Sequence, residues 1–148
     1  IAVAVLDSFT PERRQNIRTR GRELVERLGA LAEETDGAVT GAQGTGLLLS
    51  CELHSRYKVY GANSTEEYLR KHGLGVIHGG EHSLRYTPVF DIGPTEVDLI
   101  VELTREALLK GPASHKGRED GLTLEASRRR ESGTRHANSA NRVPVFDI

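Results

Sequence analysis

The sequence predicts an α/β sandwich, in which a small sheet is covered by helices. Two observations support this fold class. Two long segments, one early in the chain and one before residue 110, repeat apolar side chains every three or four positions, which is typical of amphipathic helices. Between them lie short apolar runs bounded by glycine, which are typical of strands. Helices that flank a group of strands predict a domain of packed layers.

Composition limits the function classes. The chain has 148 residues, enough for one domain with a sizeable core, and that core is aliphatic because only 5% of the residues are aromatic. A formal net charge of −1 excludes strong attraction of the whole chain to nucleic acid or to an anionic membrane. No apolar run has the length of a transmembrane helix. The single Cys51 cannot form an internal disulfide, which indicates a reducing, cytoplasmic location.

The two ends of the chain differ from its middle. The sequence lacks methionine and opens in an apolar segment without the charged start of a signal peptide, so we interpret Ile1 as an internal boundary of a longer protein. Residues 1–110 form the predicted domain. Apolar periodicity ends there, so we expect residues 111–148 to be a low-complexity, mostly disordered tail. The tail repeats Pro88–Ile92 verbatim as Pro144–Ile148, for which a duplication without physical consequence is favoured over competition between the copies.

The first helix has clear predicted ends. Thr10 is the expected N-cap with Pro11 at the first helical position, and the helix is expected to end near Thr35, before Asp36-Gly37. Its arginines would suit nucleic acid, but interleaved glutamates favour a mixed solvated face. The predicted apolar stripe comprises Ile17, Leu24, Val25, Leu28 and Leu31.

The glycine-rich stretch 38–53 predicts two strands separated by a glycine-rich turn. Its spacing from Gly41 to Gly46 also satisfies a loose phosphate-loop pattern. Such a loop should open a helix, whereas a β-type run follows here, so a hairpin or a close backbone crossing is favoured.

The second half predicts a helix, two strands and a helix. Ser64 and Glu67 form a capping box, and the helix that they open is expected to end at Gly73. Strands are predicted at Leu74–Ile77 and Leu84–Thr87, around a tight turn at His78-Gly79-Gly80. Pro94 begins the last predicted helix, which ends at Lys110.

Arg85 is the main candidate for a functional residue. Side chains alternate along a strand, so Leu84 and Tyr86 are expected to face the core while Arg85 faces away from it. A guanidinium group matches a carboxylate in bidentate fashion, which makes an anionic small molecule a reasonable ligand. From the residues alone, a salt bridge to an acid such as Glu81 or Asp91, or simple exposure, is favoured over a ligand site.

Four segments, taken in order, resemble a known family. They are GLLLSCEL at 46–53, YLRKHGLGVI at 68–77, LRYTPVFDI at 84–92 and TEVDLIVELTREAL at 95–108. Together they are similar to the C-terminal small domain of the class III aminotransferases, fold-type I pyridoxal-phosphate enzymes that include the ornithine, acetylornithine and ω-amino-acid transaminases. The resemblance covers about residues 1–110 and none of the tail.

The resemblance implies a role for Arg85. In ornithine-type members, the arginine of an [IL]R-x-x-P stretch binds a substrate carboxylate, and Leu84–Pro88 matches that stretch. Val89 departs from the family, since many relatives carry a second proline there. The resemblance gives His78 and His82 no role beyond turn or rim residues, and two histidines without a third ligand predict no metal site.

The resemblance also implies what the chain lacks. The family's catalytic lysine and its pyridoxal-phosphate site lie in a large domain, and no lysine here has that context, so the chain alone is expected to be inactive, with no catalytic or cofactor-binding residue of its own. The lysines concerned are Lys58, Lys71, Lys110 and Lys116. The full-length enzyme is expected to be a homodimer that uses amino acid and 2-oxo acid substrates, with no nucleic acid or membrane partner.

Two other functions stay open at this point. A related class III aminomutase or racemase would have the same scaffold. A free-standing, non-enzymatic α/β module that binds an anionic metabolite or a partner chain is the alternative from a different class.

Overall fold

The protein folds as helices packed on one face of a small sheet, which confirms the predicted α/β class. The computed structural model describes residues 9–111. The predictions for residues 1–8 and 112–148, including the disordered tail and the second PVFDI copy, lie outside the described residues. The elements in chain order are α1 (Pro11–Glu34), β1 (Val39–Thr45), β2 (Leu48–Leu53), α2 (Thr65–Lys71), β3 (Ile77–His78), β4 (Ser83–Tyr86) and α3 (Pro94–Lys110).

The sheet has the order β1-β2-β4-β3, and every neighbouring pair is antiparallel. Cys51 in the centre of β2 pairs with Ala42 on one side and Leu84 on the other. Since β-strand side chains alternate, Leu49, Cys51 and Leu53 all face the helices, and all three are buried. The core between sheet and helices is mainly aliphatic, as the composition predicts, and also contains Tyr57 and Tyr86. Within residues 9–111, no helix is both long and apolar enough to cross a membrane.

Helix α1 begins and ends as predicted. The Thr10 side chain accepts a hydrogen bond from the Arg13 amide (3.3 Å), Pro11 is the first helical residue, and Thr35 caps the other end. Leu24, Leu28 and Leu31 are buried, as the apolar stripe predicts, while Ile17 and Val25 are half-buried. The mixed solvated face is confirmed by ion pairs that Glu23 forms with Arg20 and Arg27, at 2.5 and 3.4 Å.

The prediction of a glycine-rich turn was wrong in its position. Gly41 and Gly44 lie within β1, and the chain reverses only at Gly46, whose φ is +55°. At this turn the hairpin packs closely against α1, since a Cβ on Gly21 of α1 would overlap the Gly46 carbonyl oxygen. The favoured hairpin with a close backbone crossing is therefore confirmed, and a strand follows the glycines where a phosphate loop requires a helix.

The two short strands also differ from the prediction. Leu74–Val76 is not a strand, β3 includes only Ile77 and His78, and β4 begins and ends one residue earlier than expected. Helix α2 begins as predicted, with the Ser64 side chain accepting from the Glu67 amide at 3.1 Å. The Glu67 carboxylate, however, accepts from the amide of Asn63, the residue before the cap, at 2.6 Å.

Helix α3 has the predicted bounds, Pro94–Lys110. The five residues predicted to share its inner face are buried, together with Ala107; they are Val97, Ile100, Val101, Thr104 and Leu108. Helices α1 and α2 both pack against α3. Gly111 completes the end of α3, because its amide donates to the Ala107 carbonyl at 3.0 Å.

Candidate functional site

Arg85 lies on the face of the sheet that the helices leave uncovered. Its neighbours along β4, Leu84 and Tyr86, are 0% and 2% exposed, while Arg85 itself is exposed. Across the sheet, Arg85 pairs with Ser50 of β2 and Ile77 of β3. This outer face, as we call it, consists of Gln43, Thr45, Leu48, Ser50, Glu52, Ile77 and Arg85. The predicted orientation of Arg85 is confirmed.

Strand β4 is anchored from its buried side. The Tyr86 hydroxyl lies 3.0 Å from the Thr104 hydroxyl, and Thr104 in turn donates to the Ile100 carbonyl at 2.7 Å. Because the single proton of Thr104 goes to Ile100, Tyr86 is the donor to Thr104. This buried chain of hydrogen bonds joins β4 to α3 and fixes the strand on which Arg85 stands.

Neither acid considered as a salt-bridge partner for Arg85 pairs with it, and Arg85 is exposed. Asp91 accepts two hydrogen bonds from Arg13, at 2.7 and 2.8 Å, in the bidentate geometry that guanidinium and carboxylate prefer. Glu81 lies 3.9 Å from the His82 ring instead. Arg85 forms no hydrogen bond or ion pair with residues 9–111. Its guanidinium group is exposed and accessible to an external anion.

The segment that follows Arg85 is held by helix α1. Besides the Arg13–Asp91 pair, the Asn16 amide donates to the carbonyls of Phe90 and Ile92, both at 3.0 Å. The Phe9 and Phe90 rings are 4.9 Å apart. These contacts fix the first PVFDI copy and, with it, the path of the chain from β4 into α3. No periodic pattern in the sequence predicts them, because they join residues more than 70 positions apart.

Strand β3 carries a polar cluster on the helix side of the sheet, opposite the face of Arg85. In this cluster, His78 Nδ1 lies 3.0 Å from Glu66 Oε2, and the Tyr60 ring stacks on the His78 ring at 4.8 Å. The other carboxylate oxygen of Glu66 bonds to Arg70. Sequence reasoning described His78 only as a turn or rim residue, since its partner is 12 residues away on another element and no spacing rule connects the two.

Two buried acids of the core are inert at neutral pH. Burial, aided by the nearby charge of Glu52, raises the pKa of Cys51 to about 12. Burial also raises the pKa of Tyr86 well above its ordinary value, with the charge of Cys51 as a smaller cause and the Thr104 hydrogen bond opposing the shift. Both groups therefore stay neutral and act as core residues. Arg85, by contrast, is a charged and exposed side chain at a neighbouring strand position.

The lysines of the described range are exposed and bonded to neighbouring residues. Each bonds to a neighbour four residues away in sequence: Lys58 to the Ala62 carbonyl, Lys71 to Glu67 and Lys110 to Glu106.

Solved structures of aminotransferases share this architecture. N-acetylornithine aminotransferase from Stenotrophomonas maltophilia matches 72% of the chain with a TM-score of 0.63 and 23% identity. Acetylornithine aminotransferase from Elizabethkingia anophelis matches 67% with a TM-score of 0.59 and 18% identity. Ornithine aminotransferase from Plasmodium yoelii matches 63% with a TM-score of 0.54 and 20% identity.

The chain has the fold of a segment of these aminotransferases. The fold implied by the sequence resemblance is thereby confirmed. The chain spans only 29%, 26% and 24% of the length of these three proteins, respectively. No protein-family model matches the chain, and no curated protein matches it.

Proposed function

We propose that the chain is the C-terminal small domain of a class III pyridoxal-phosphate-dependent aminotransferase and that Arg85 binds the carboxylate of its substrate. The observation that carries the proposal is the open guanidinium of Arg85, which is exposed on the outer face without a carboxylate partner among residues 9–111. The shared fold and the match of Leu84–Pro88 to the family's [IL]R-x-x-P stretch give this arginine its ligand class.

Arg85 contributes binding and orientation to this function. A guanidinium donates two parallel hydrogen bonds to a carboxylate and so fixes the direction as well as the position of the substrate. Holding a reactant in one geometry removes much of the entropic cost of the chemical step. Strand β4 is suited to this task because Tyr86 anchors it to α3 by a buried hydrogen bond.

The complete protein would supply the remaining half of the site. Pyridoxal phosphate, when bound, acts as the electron sink for amino-group transfer. Since the lysines of residues 9–111 are exposed and engaged with their neighbours, the proposal assigns the cofactor to a large domain outside this chain, and the chain alone is inactive. Amino acid and 2-oxo acid substrates, a homodimeric assembly and a cytoplasmic location belong to the same proposal.

Kinetics of the complete protein test the proposed role of Arg85. Arg85→Ala should raise the KM for carboxylate substrates by about 10- to 100-fold, because a hydrogen bond to a charged group contributes about 1.5–3 kcal/mol. The absorbance of the bound cofactor should not change. Arg105→Ala is the matched control, since that arginine pairs with Glu102 on the exposed side of α3. Equal KM values for Arg85→Ala and the parent enzyme would refute the carboxylate role.

A further inference from the structure

Strand β3 has too few sheet contacts to define its own position. It includes only Ile77 and His78, which pair with Arg85 and Leu84 at the edge of the sheet. A two-residue edge strand forms few ladder hydrogen bonds, so its position depends on additional contacts. The side chain of His78 provides such contacts. His78 pairs with Leu84, whose side chain faces the helices, and on that side of the sheet its ring reaches Glu66 of α2.

His78 is held by two different kinds of contact. Its Nδ1 atom bonds to a carboxylate oxygen of Glu66 at 3.0 Å, and its ring stacks on Tyr60 with an angle of 26° between the planes. Glu66 is itself only 8% exposed, and Arg70 bonds to its other oxygen. A nearly buried carboxylate that is held in place by a second partner is a fixed attachment point for β3.

The residue after His78 lies directly beside the guanidinium of Arg85. A Cβ placed on Gly79 would be 3.4 Å from Nη2 and 3.5 Å from Nε of Arg85. The Gly79 amide donates to the Ser83 carbonyl at 2.7 Å, which closes the hairpin around this contact. The position of the Gly79 backbone therefore limits the conformations open to the Arg85 guanidinium, and Gly79 is bonded directly to His78 in the chain.

We propose that His78, fastened by Glu66 and Tyr60, is a positioning residue that holds Gly79 against Arg85 and so sets the affinity of the arginine for a carboxylate. The inference rests on the proposed function of Arg85. It assigns a role to the His-Gly-Gly turn, which the family resemblance left without one. His78 acts through Arg85 and does not itself contact the substrate.

The experiment compares two histidine variants of the complete enzyme with a matched control. His78→Leu should raise the KM for the carboxylate substrate about tenfold with kcat nearly unchanged, the pattern of lost binding without lost chemistry. His78→Asn, whose amide nitrogen takes roughly the place of Nδ1, should recover most of this loss. His72→Leu is the control, because His72 also stacks on a tyrosine, Tyr68 (4.0 Å), and bonds to the Tyr68 carbonyl, but it belongs to the end of α2.

A glycine pair covers the case in which His78→Leu fails to fold. Gly79→Val fills the space beside the Arg85 fork and should raise KM in the same way, with His78 intact. Gly75→Val is its control, since a Cβ at Gly75 would have no neighbour within 4 Å among the described residues. Neither glycine has a positive φ, so valine is compatible with both backbones.

The outcomes separate the two proposals. If Arg85→Ala raises KM while His78→Leu and Gly79→Val match their controls, the positioning role is overturned and the carboxylate role stands. If Arg85→Ala leaves KM unchanged, the carboxylate role fails and the positioning role fails with it. Raised KM values for His78→Leu, with recovery in His78→Asn, support both.

Discussion

Arg85 owes its orientation to the residues on either side of it. Leu84 and Tyr86 are almost completely buried, so the alternation of the strand directs Arg85 to the opposite face. This much followed from the sequence. The sequence does not predict that Arg85 lacks an acid partner within residues 9–111. Asp91 instead binds Arg13, which lies 78 positions before it in the chain.

The hydrogen bond of Tyr86 gives a stability prediction at the residue scale. Thr104→Val leaves the buried Tyr86 hydroxyl without an acceptor and should lower the free energy of unfolding by about 1–3 kcal/mol. Tyr86→Phe removes the donor itself, while Thr104 keeps its bond to Ile100, so it should cost only about 1 kcal/mol. Urea denaturation of the two variants checks the order. A smaller loss in Thr104→Val than in Tyr86→Phe would contradict this assignment of the donor.

Cys51 predicts a loss of stability in alkaline solution. Burial raises its pKa from an ordinary 9.0 to about 12, so the folded state keeps a proton that the unfolded state releases. Cys51 therefore does not reduce the free energy of unfolding below about pH 9, and it reduces this free energy increasingly as pH rises toward about 12. The thermal midpoint should therefore fall between about pH 8 and about pH 10.5, and Cys51→Ala should show a smaller fall over that range. Burial raises the pKa of Tyr86 as well, so Tyr86 contributes to the alkaline loss in both proteins. Equal slopes in the two proteins would rule out this contribution from Cys51.

At the scale of elements, the sequence predicted helices better than strands. Caps and periodicity defined α1 and α3 almost to the residue, because those signals are local. Strands β1 and β3 were misplaced for a physical reason. A Cβ on Gly44 of β1 would meet the Leu48 carbonyl of β2, and Gly46 packs against α1, while the His78 side chain of β3 bonds to Glu66 of α2. Both causes are tertiary and leave no pattern within the segment itself.

Two glycines of α1 give a matched pair of predictions. Gly21→Ala should lower the free energy of unfolding by about 3 kcal/mol, because the new methyl group overlaps the Gly46 carbonyl and the backbone must move. Gly29→Ala should raise it by about 0.5–1 kcal/mol, because alanine favours the helix and the Cβ would meet only Ala42, at 3.8 Å. Chemical denaturation measures both. If both variants shift in the same direction, the close approach of α1 to the hairpin does not control stability.

At the scale of the whole molecule, the core that the structure describes is formed by residues 9–111. Its buried apolar residues extend from Leu24 to Leu108, and Gly111 caps the last helix. We therefore expect a chain that ends at Gly111 to keep the thermal midpoint of the full chain to within about 2 °C, since a change of 1 kcal/mol shifts a small domain by about 4–8 °C. Calorimetry of the two chains provides the test. A fall of about 8 °C or more would show that residues 112–148 stabilise the domain, against the proposed division of the chain.

The site proposed for Arg85 combines a sequence resemblance with structural surroundings. The resemblance in the sequence supplied its ligand class, and the structure supplied the surroundings of Arg85: an uncovered sheet face, an anchored strand and the Glu66–His78 contact behind it. The sequence could not predict that contact, since Glu66 and His78 belong to different elements.

The most direct measurement compares two substrates in the complete protein: the amino acid that it uses and the amine that lacks the carboxylate. The parent enzyme should prefer the amino acid in kcat/KM by about 10- to 100-fold, the value of a charged hydrogen-bonded pair. Arg85→Gln should remove this preference by lowering kcat/KM for the amino acid alone. An unchanged ratio between the two substrates in Arg85→Gln would contradict the assignment of Arg85 as the carboxylate site.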